Sequence, residues 1–321
     1  MSKEIKNTSA GFTKPLLLTP GEDIMGFIAT HLGRMTLFGI TAFSVLAVLL
    51  IFFFVIKEAW PFIASGGLME FVTSKSWYPE SHEAEYGALS IIAGSAYVTI
   101  IAMLIATPIG LLCALFLSDI SPFGLRQIVK PIIEMLAAIP SVAYGFFAVL
   151  VLAPYLQKHF GFDTGTNALN AGIILAVMAL PTIISVAEDS ISAISRHLRE
   201  ASYALGATRS ESLVKVVIPA AHSGIIASII LGMMRAIGET MVVWMASGNA
   251  NQIPSPWWDI STSVRTMTAT IAGDMGETAK GSDHYQALFA MGVLLLAFTF
   301  GLNIISEFFV SKVKKSQGGS K

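Results

Sequence analysis

The stretch EASYALGATRSESLVKVVIPAA, residues 200–221, is a polar segment enclosed by two long apolar runs. Four further runs of similar character lie elsewhere in the chain, and each is long enough to cross about 30 Å of hydrocarbon at about 1.5 Å per residue. The six runs occupy residues 35–56, 87–118, 132–157, 168–187, 223–248 and 286–310. This pattern predicts an all-α polytopic membrane protein with six transmembrane helices.

Charged residues are scarce and segregated. Only 13% of the 321 residues are charged, about half the value of roughly 25% in soluble domains. The six runs contain only four charged residues, Glu134, Arg235, Glu239 and Glu307. Charges are rare there because inserting an ionised side chain at a bilayer centre costs at least about 2.5–3.5 kcal/mol. A net charge of −1 also provides no basic footprint for nucleic acid. A soluble fold and a nucleic-acid partner are therefore excluded.

The residue types that hold metals, cofactors or nucleotides form no recognisable pattern. Cys113 is the only cysteine, and the six histidines lack the HExxH spacing of a zinc site. Neither G-x-x-x-x-G-K-[ST] nor G-x-G-x-x-G occurs. We therefore expect no metal, no cofactor and no catalytic residue in this chain.

The distribution of Lys and Arg predicts the orientation in the membrane. Fourteen of these residues lie in the N-terminal segment, the second and fourth loops and the tail, whereas the other three loops hold five. Both termini are therefore expected to be cytoplasmic. The predicted parts are a cytoplasmic segment at 1–34, a six-helix domain at 35–310 with a cytoplasmic loop at 188–222, and a basic tail at 311–321.

Two short helices are predicted within the 188–222 loop. The first, at Ser195–Leu205, can end at Gly206, since glycine readily adopts the left-handed conformation of a residue just past a helix. A second helical stretch, at Ser210–Val217, runs into Pro219. We expect the glycine and the proline to hold the two helices at a fixed angle on the membrane surface.

This loop resembles the EAA motif of ABC importer permeases, which reads EAA, three residues, G, nine residues, I-x-L-P. Glu200, Ala201, Gly206 and Pro219 match the motif at its spacing. Three positions depart conservatively from it: Ser202, Val216 and Ile218. The resemblance implies a type I ABC importer permease fold and assigns the four matching residues to coupling with an ATPase subunit. The alternative interpretation is an ordinary amphipathic loop.

Arg235 and Glu239 are the charged pair of the fifth run. Arg235 lies about 18 Å along a helix from the start of the run, close to mid-bilayer. Glu239 follows at i,i+4, where two side chains share one helix face and can pair. The pair either pins neighbouring helices or forms a substrate pathway, in which Arg235 offers its planar fork to an oxyanion and Glu239 orients it. Ionisable residues inside a membrane usually have a functional role, so we predict that Arg235 and Glu239 form part of the substrate pathway.

Proline interrupts three of the runs, at Pro108, Pro140 and Pro181. Each proline removes a backbone hydrogen bond and tends to kink its helix. The kinks suit a protein with a changing central cavity, but proline is also simply commoner in membrane helices. Both interpretations remain open at this point.

Three blocks of sequence resemble the permease subunits of the phosphate ABC importer, specifically the PstC type. They are EYGALSIIAGSAYVTIIAMLIATPIGLLCALFLSDIS at 85–121, LAAIPSVAYGFFAVLVLAP at 136–154 and GMMRAIGETMVVWMASGN at 232–249. The R-A-x-G-E-T-M run and the Y-G-A-L entry to the second run favour this type over the similar PstA type. The resemblance spans roughly residues 57–310.

The resemblance implies one subunit of an ATP-driven importer of inorganic phosphate in the bacterial cytoplasmic (inner) membrane. Its implied partners are a PstA-type permease, two PstB-type ATPase subunits that hydrolyse the ATP, an extracytoplasmic phosphate-binding protein and the lipid bilayer. Two alternatives stay open: a sulfate or molybdate ABC permease, and a secondary transporter or channel that works alone.

Overall fold

A computed structural model describes the backbone of residues 20–316 and the side chains of residues 30–309. Residues 1–19 and 317–321 lie outside this range, and with them most of the predicted N-terminal segment and part of the predicted basic tail.

The chain divides into two compact units, residues 1–54 and 55–321. In the first unit, the described residues belong to helix α1 (Pro20–Phe62), which continues across the boundary. Its side chains from residue 30 onward are almost all exposed and predominantly apolar. A helix that is apolar on every side is typical of a membrane span.

The second unit contains the other described elements, which are helical apart from one small sheet. Its helices are α2 (Leu68–Thr73), α3 (Leu89–Leu115), α4 (Phe123–Ala138), α5 (Ser141–Phe147), α6 (Ala153–Phe160), α7 (Ala168–Ser192), α8 (Arg196–Ala204), α9 (Arg209–Ser212), α10 (Ile218–Gly238), α11 (Met241–Ala246), α12 (Met267–Asp274) and α13 (Asp283–Ser316). Strands β1 (Trp77–Tyr78) and β2 (Glu85–Tyr86) pair antiparallel. Wider π-helical turns occur at Ile63–Gly67, Phe116–Ile120, Ala148–Leu152 and Leu213–Val217.

Six stretches of the described chain are long and apolar enough to span a membrane, which confirms the predicted number. They are Thr30–Thr73, Leu89–Ile120, Ser141–Phe160, Ala168–Ser192, Arg209–Gly238 and Asp283–Phe309. The predicted all-α polytopic fold is therefore confirmed, whereas the cytoplasmic position of the termini stays a prediction.

Helix α7 lies at the centre of the second unit. In the most apolar part of α7, 61% of the residues are buried, compared with at most 39% in the same part of any other span among the described residues. It packs against α3 and α10, and glycines permit the close approach: a Cβ at Gly110 or Gly232 would lie 2.7 or 2.5 Å from the Ile183 side chain. Small residues at helix contacts are the usual means of packing helices in a membrane.

The third predicted span is displaced. The sequence predicts one helix over 132–157, but Ile139 and Pro140 have extended backbone and separate α4 from α5. The span is Ser141–Phe160, and α4, which carries Glu134, has no buried residue. Proline at 140 drives the preceding residue out of the helical region. Pro140 therefore ends one helix rather than kinking it.

Candidate functional site

Arg235 and Glu239 do not lie on one continuous helix. Helix α10 ends at Gly238, and Glu239 has extended backbone with φ −75° and ψ 131° before α11 begins at Met241. None of the ion pairs within 4.0 Å among the described residues joins Arg235 to Glu239. The expectation that the two form a close ion pair at i,i+4 on one helix face is therefore wrong, although the charge of Arg235 still acts on the Glu239 carboxylate. The helix ends before the second member of the pair.

Both side chains interact electrostatically with residues at the start of α5. The hydroxyl of Ser141 interacts with the Glu239 carboxylate, and the positive charge of Arg235 acts on Tyr144 one turn later. The Tyr144 hydroxyl itself donates to the carbonyl of Leu136 in α4, at 2.9 Å. Two sequence blocks with the same family resemblance, 136–154 and 232–249, thus converge here, although the 77 residues 155–231 separate them.

Two interruptions of helical backbone meet at this point, Ile139–Pro140 and Glu239–Thr240. The helices that follow them, α5 and α11, pack closely, since a Cβ at Gly145 would lie 2.5 Å from the sulfur of Met245. At membrane depth, irregular backbone is tolerated only where protein buries it or where it lines a water-filled cavity. Transporters commonly bind substrate at such discontinuous helices.

Arg235 has bonding capacity to spare. The side chain is half-buried, and its Nε is buried without a hydrogen-bond partner. A guanidinium carries five N–H donors and no acceptor, so a polyoxygen anion is the ligand it fits best. Among the residues with described side chains, no group of three His, Cys, Asp or Glu could hold a metal ion.

A short helix that the sequence did not reveal also reaches this site. Helix α12 belongs to the segment predicted to be an external loop, and its Thr268 hydroxyl donates to the backbone carbonyl of Glu239 at 2.8 Å. Thr266 is its N-cap and accepts from the Ala269 N–H. Threonine is a good N-cap residue, which is the available signal, but eight residues are too few for an apolar run to be recognised.

The predicted coupling loop folds as two short helices. Helix α8 ends at Ala204, and Gly206, two residues later, has φ +86°. The Gly206 N–H donates to Tyr203 O at 2.9 Å and the Ala207 N–H to Ser202 O at 3.2 Å, which is the Schellman pattern of a helix C-terminus. The left-handed glycine is therefore confirmed. Glu200 and Ala201 lie on α8 with exposed side chains.

Pro219 does not form the expected corner. A capping box between Thr208 and Glu211 starts α9, whose helix continues through the π-helical turn Leu213–Val217 into α10. Pro219 follows this π-helical turn, in the first turn of α10, and does not interrupt the helical backbone. The backbone is thus helical from Arg209 to Gly238, and the expectation that Pro219 fixes an angle is wrong.

One buried carboxylate ties the coupling loop to the rest of the protein. Asp119, in the π-helical turn that follows α3, has a side chain only 7% exposed and pairs with Arg199 of α8. Arg209 of α9 donates to the Asp119 carbonyl, and a second Arg199 nitrogen donates to Ile191 O at 3.1 Å. Both loop helices are therefore fixed to the ends of α3 and α7.

A second buried carboxylate, Glu188 of α7, holds the amphipathic helix α4. Arg126 and Lys130 of α4 pair with it, the latter at 2.6 Å, and Ser192 donates to it at 2.8 Å. Lys130 also pairs with Asp189 at 2.7 Å. Burial lowers the pKa of Lys130, but its hydrogen bonds to Asp189 and Glu188 outweigh this effect and raise the pKa overall. At the level of sequence, Arg126 and Lys130 contribute only to the predicted orientation.

Comparison with known proteins connects the chain to a family. Residues 106–315 match the family described as binding-protein-dependent transport system inner membrane component. The chain is 38% identical over 260 residues to the probable ABC transporter permease protein YqgH of Bacillus subtilis, which covers 81% of this chain and 83% of that one. It is 32% identical over 301 residues to the phosphate transport system permease protein PstC of Haemophilus influenzae, which covers 88% and 92%.

A solved structure shares the fold. A chain in the crystal structure of a bacterial alginate ABC transporter, in complex with an alginate-bound periplasmic protein, superposes with a TM-score of 0.55 and 16% identity. The superposition covers 89% of this chain and 98% of that chain. The likeness confirms the predicted importer permease fold.

Proposed function

The chain belongs to the family of binding-protein-dependent transport system inner membrane components, and from this premise we propose that it is the permease subunit of an ATP-driven phosphate importer. Relatives from three other bacteria that bear the name phosphate transport system permease protein PstC are 32–34% identical over most of the chain. They support a PstC-type subunit that forms half of a transmembrane pathway and does no chemistry itself.

The observation that carries the proposal is the unpartnered Nε of Arg235 beside two interrupted helices. Inorganic phosphate presents several acceptor oxygens, which match the donor fork of an arginine. Glu239 tempers this attraction, because an isolated cation in a low dielectric would hold a divalent anion too tightly. A pathway must bind weakly enough to release its substrate.

We assign the coupling role to the loop that carries Glu200, Ala201, Gly206 and Pro219. The exposed face of α8 supports contact with an ATPase subunit, since Glu200 and Ala201 are accessible and Leu205 is 91% exposed. The ties of Arg199 and Arg209 to Asp119 transmit any movement of that contact to α3. Pro219 lies outside the two loop helices and contributes to the start of α10.

The proposed assembly contains a PstA-type permease as the second half of the pathway and two PstB-type ATPase subunits on the cytoplasmic side. A phosphate-binding protein would deliver substrate from outside. The complex would lie in the bacterial cytoplasmic membrane with both termini of this chain inside, as the excess of Lys and Arg on that side predicts.

Replacement of Arg235 tests the substrate pathway. In cells that express the full complex, we expect Arg235→Gln to abolish uptake of radiolabelled phosphate, and Arg235→Lys to retain a small part of it, because lysine keeps the charge without the planar fork. Unchanged co-purification of the partner subunits is the control for assembly. Uptake by Arg235→Gln within about twofold of wild type would exclude Arg235 from the pathway.

The same assay separates the alternatives. Excess sulfate or molybdate should leave phosphate uptake unchanged if the site selects phosphate. Depletion of ATP with the ion gradients maintained should stop uptake, whereas a secondary transporter would continue.

A further inference from the structure

Helix α12 is a rigid element placed directly against the candidate site. Its first turn is buried, including the side chains of Thr266, Thr268 and Thr270. The Met267 N–H donates to the hydroxyl of Ser95 in α3 at 2.8 Å. These contacts hold the N-terminal end of α12 at a fixed position on α3.

Arg265, which lies just before the N-cap of α12, is also tightly packed. A Cβ at Gly94 of α3 would lie only 2.2 Å from the carbonyl oxygen of Arg265, so the two backbones are in direct contact. At the other end of α12, the carboxylate of Asp274 pairs with Arg265 and accepts from the Trp77 indole N–H at 3.1 Å. Helix α12 is thus anchored at both ends.

Thr268 projects from this anchored helix to the point where α10 ends. Its Oγ1 donates to the carbonyl of Glu239 at 2.8 Å, across 29 residues of sequence. Its side chain is 7% exposed and also lies 3.4 Å from the hydroxyl of Thr266. Glu239 lies between the end of α10 and the start of α11, so no helical hydrogen-bond pattern holds its carbonyl. The bond from Thr268 is therefore a tertiary restraint on the backbone that carries the Glu239 carboxylate.

We infer that Thr268 is a positioning residue for phosphate transport, which holds the interrupted backbone so that the Glu239 carboxylate faces Ser141 and Arg235. The inference rests on the proposed function, since it takes Glu239 to be part of the pathway. Threonine suits this task because its branched side chain has few χ1 rotamers and a hydroxyl that can donate across a helix contact. Thr268 acts through Glu239 and needs no contact with phosphate.

The test measures phosphate transported per ATP hydrolysed by the complete complex in proteoliposomes. A variant that merely folds less well lowers the number of active complexes, and therefore lowers transport and hydrolysis in proportion. A variant with a misplaced Glu239 still couples to the ATPase but handles phosphate poorly. The ratio therefore distinguishes a positioning role from a structural one.

For Thr268→Val, which keeps the shape and removes the donor, we expect this ratio to fall about threefold to tenfold, the size of one lost hydrogen bond. Thr268→Ser restores the donor and should restore the ratio. Thr270→Val is the matched control: Thr270 is also buried on the same helix, but its hydroxyl donates to the Thr266 carbonyl one turn earlier, at 2.8 Å. It should leave the ratio unchanged.

An unchanged ratio in Thr268→Val, or an equal fall in Thr270→Val, would overturn the inference. If the valine variant fails to assemble, Thr268→Cys, a weaker donor, takes its place with the same expectation. Arg235→Gln, measured in parallel, keeps the two proposals apart. If the ratio falls in Arg235→Gln but is unchanged in Thr268→Val, the substrate pathway is supported and the positioning role of Thr268 is refuted. If the ratio is unchanged in Arg235→Gln, the substrate pathway itself is refuted.

Discussion

Glu188 shows at the scale of a single residue how burial determines the contribution of a charge. Its side chain is 1% exposed and faces two cations, whereas Asp189 beside it is 64% exposed and shares one of them, Lys130. A surface ion pair contributes about 0–1 kcal/mol. Removal of a buried carboxylate costs more stability than removal of an exposed one, because its hydrogen-bonding partners are then left unsatisfied.

We therefore expect Glu188→Gln to destabilise the protein by about 1–3 kcal/mol, the cost of leaving buried hydrogen-bonding groups poorly paired. Arg126 and Lys130 remain partly exposed, so water limits the loss. Asp189→Asn, the matched control on the same lysine, should change stability by less than about 1 kcal/mol. Thermal unfolding of the purified complex measures both, and equal melting temperatures for the two variants would contradict the expectation.

Single residues in the sequence indicated which charges to consider, but not their geometry. Arg235 and Glu239 stood out because ionised groups are rare in apolar runs, and that physical rule needs no structure. The end of α10 at Gly238 could not be read from the run, which continues apolar to residue 248. Thr268 could not be found either, because its role depends on a contact between distant segments.

At the scale of elements, the coupling loop was predictable because its signals are local. Gly206 marks a helix end through its own backbone preference, and α8 lies within one residue of the expected helix at both ends. The second helix begins at Arg209, one residue before the expected start, but it continues past Val217 into α10. Proline was ambiguous. Pro108 and Pro181 lie inside continuous helices, whereas Pro140 is part of a break. Pro219 follows a π-helical turn without interrupting the helical backbone.

Substitution of Gly206 tests the coupling element. A Cβ here meets no atom within 4 Å, but φ of +86° strains any L side chain, at about 1–2 kcal/mol. We expect Gly206→Asn to be tolerated, since Asn accepts this conformation, and Gly206→Arg to insert normally but to lose phosphate-stimulated ATPase activity, because its side chain projects into the docking surface. The assay is ATP hydrolysis by the purified complex. Normal stimulation in the arginine variant would refute the docking role.

At the scale of the whole molecule, the number of spans followed from hydropathy alone, and the orientation was predicted from charge. Hydropathy succeeds because a membrane requires every spanning backbone to satisfy its own hydrogen bonds, which leaves few possible structures. It could not show that α7 is the central helix, since burial against protein and exposure to lipid select similar apolar residues.

The orientation can be tested with two single cysteines in a Cys113→Ser background. Leu205→Cys lies at the coupling loop and Trp257→Cys in the predicted external loop, at positions 91% and 75% exposed. A membrane-impermeant maleimide should label position 257 but not 205 in spheroplasts, and the reverse in inverted vesicles. Labelling of position 205 in spheroplasts would reverse the predicted topology.

The unbroken helical path from Arg209 to Gly238 has a mechanical consequence. Thirty residues at about 1.5 Å each make a strut about 45 Å long. Its hydrogen-bonded backbone resists changes of length, so a displacement of the predicted coupling loop is transmitted along the helix to its other end. A flexible hinge at Pro219 would have reduced this transmission. The strut ends where Glu239 begins, so a movement imposed on the loop by the proposed ATPase subunit would be delivered beside the groups proposed to hold phosphate.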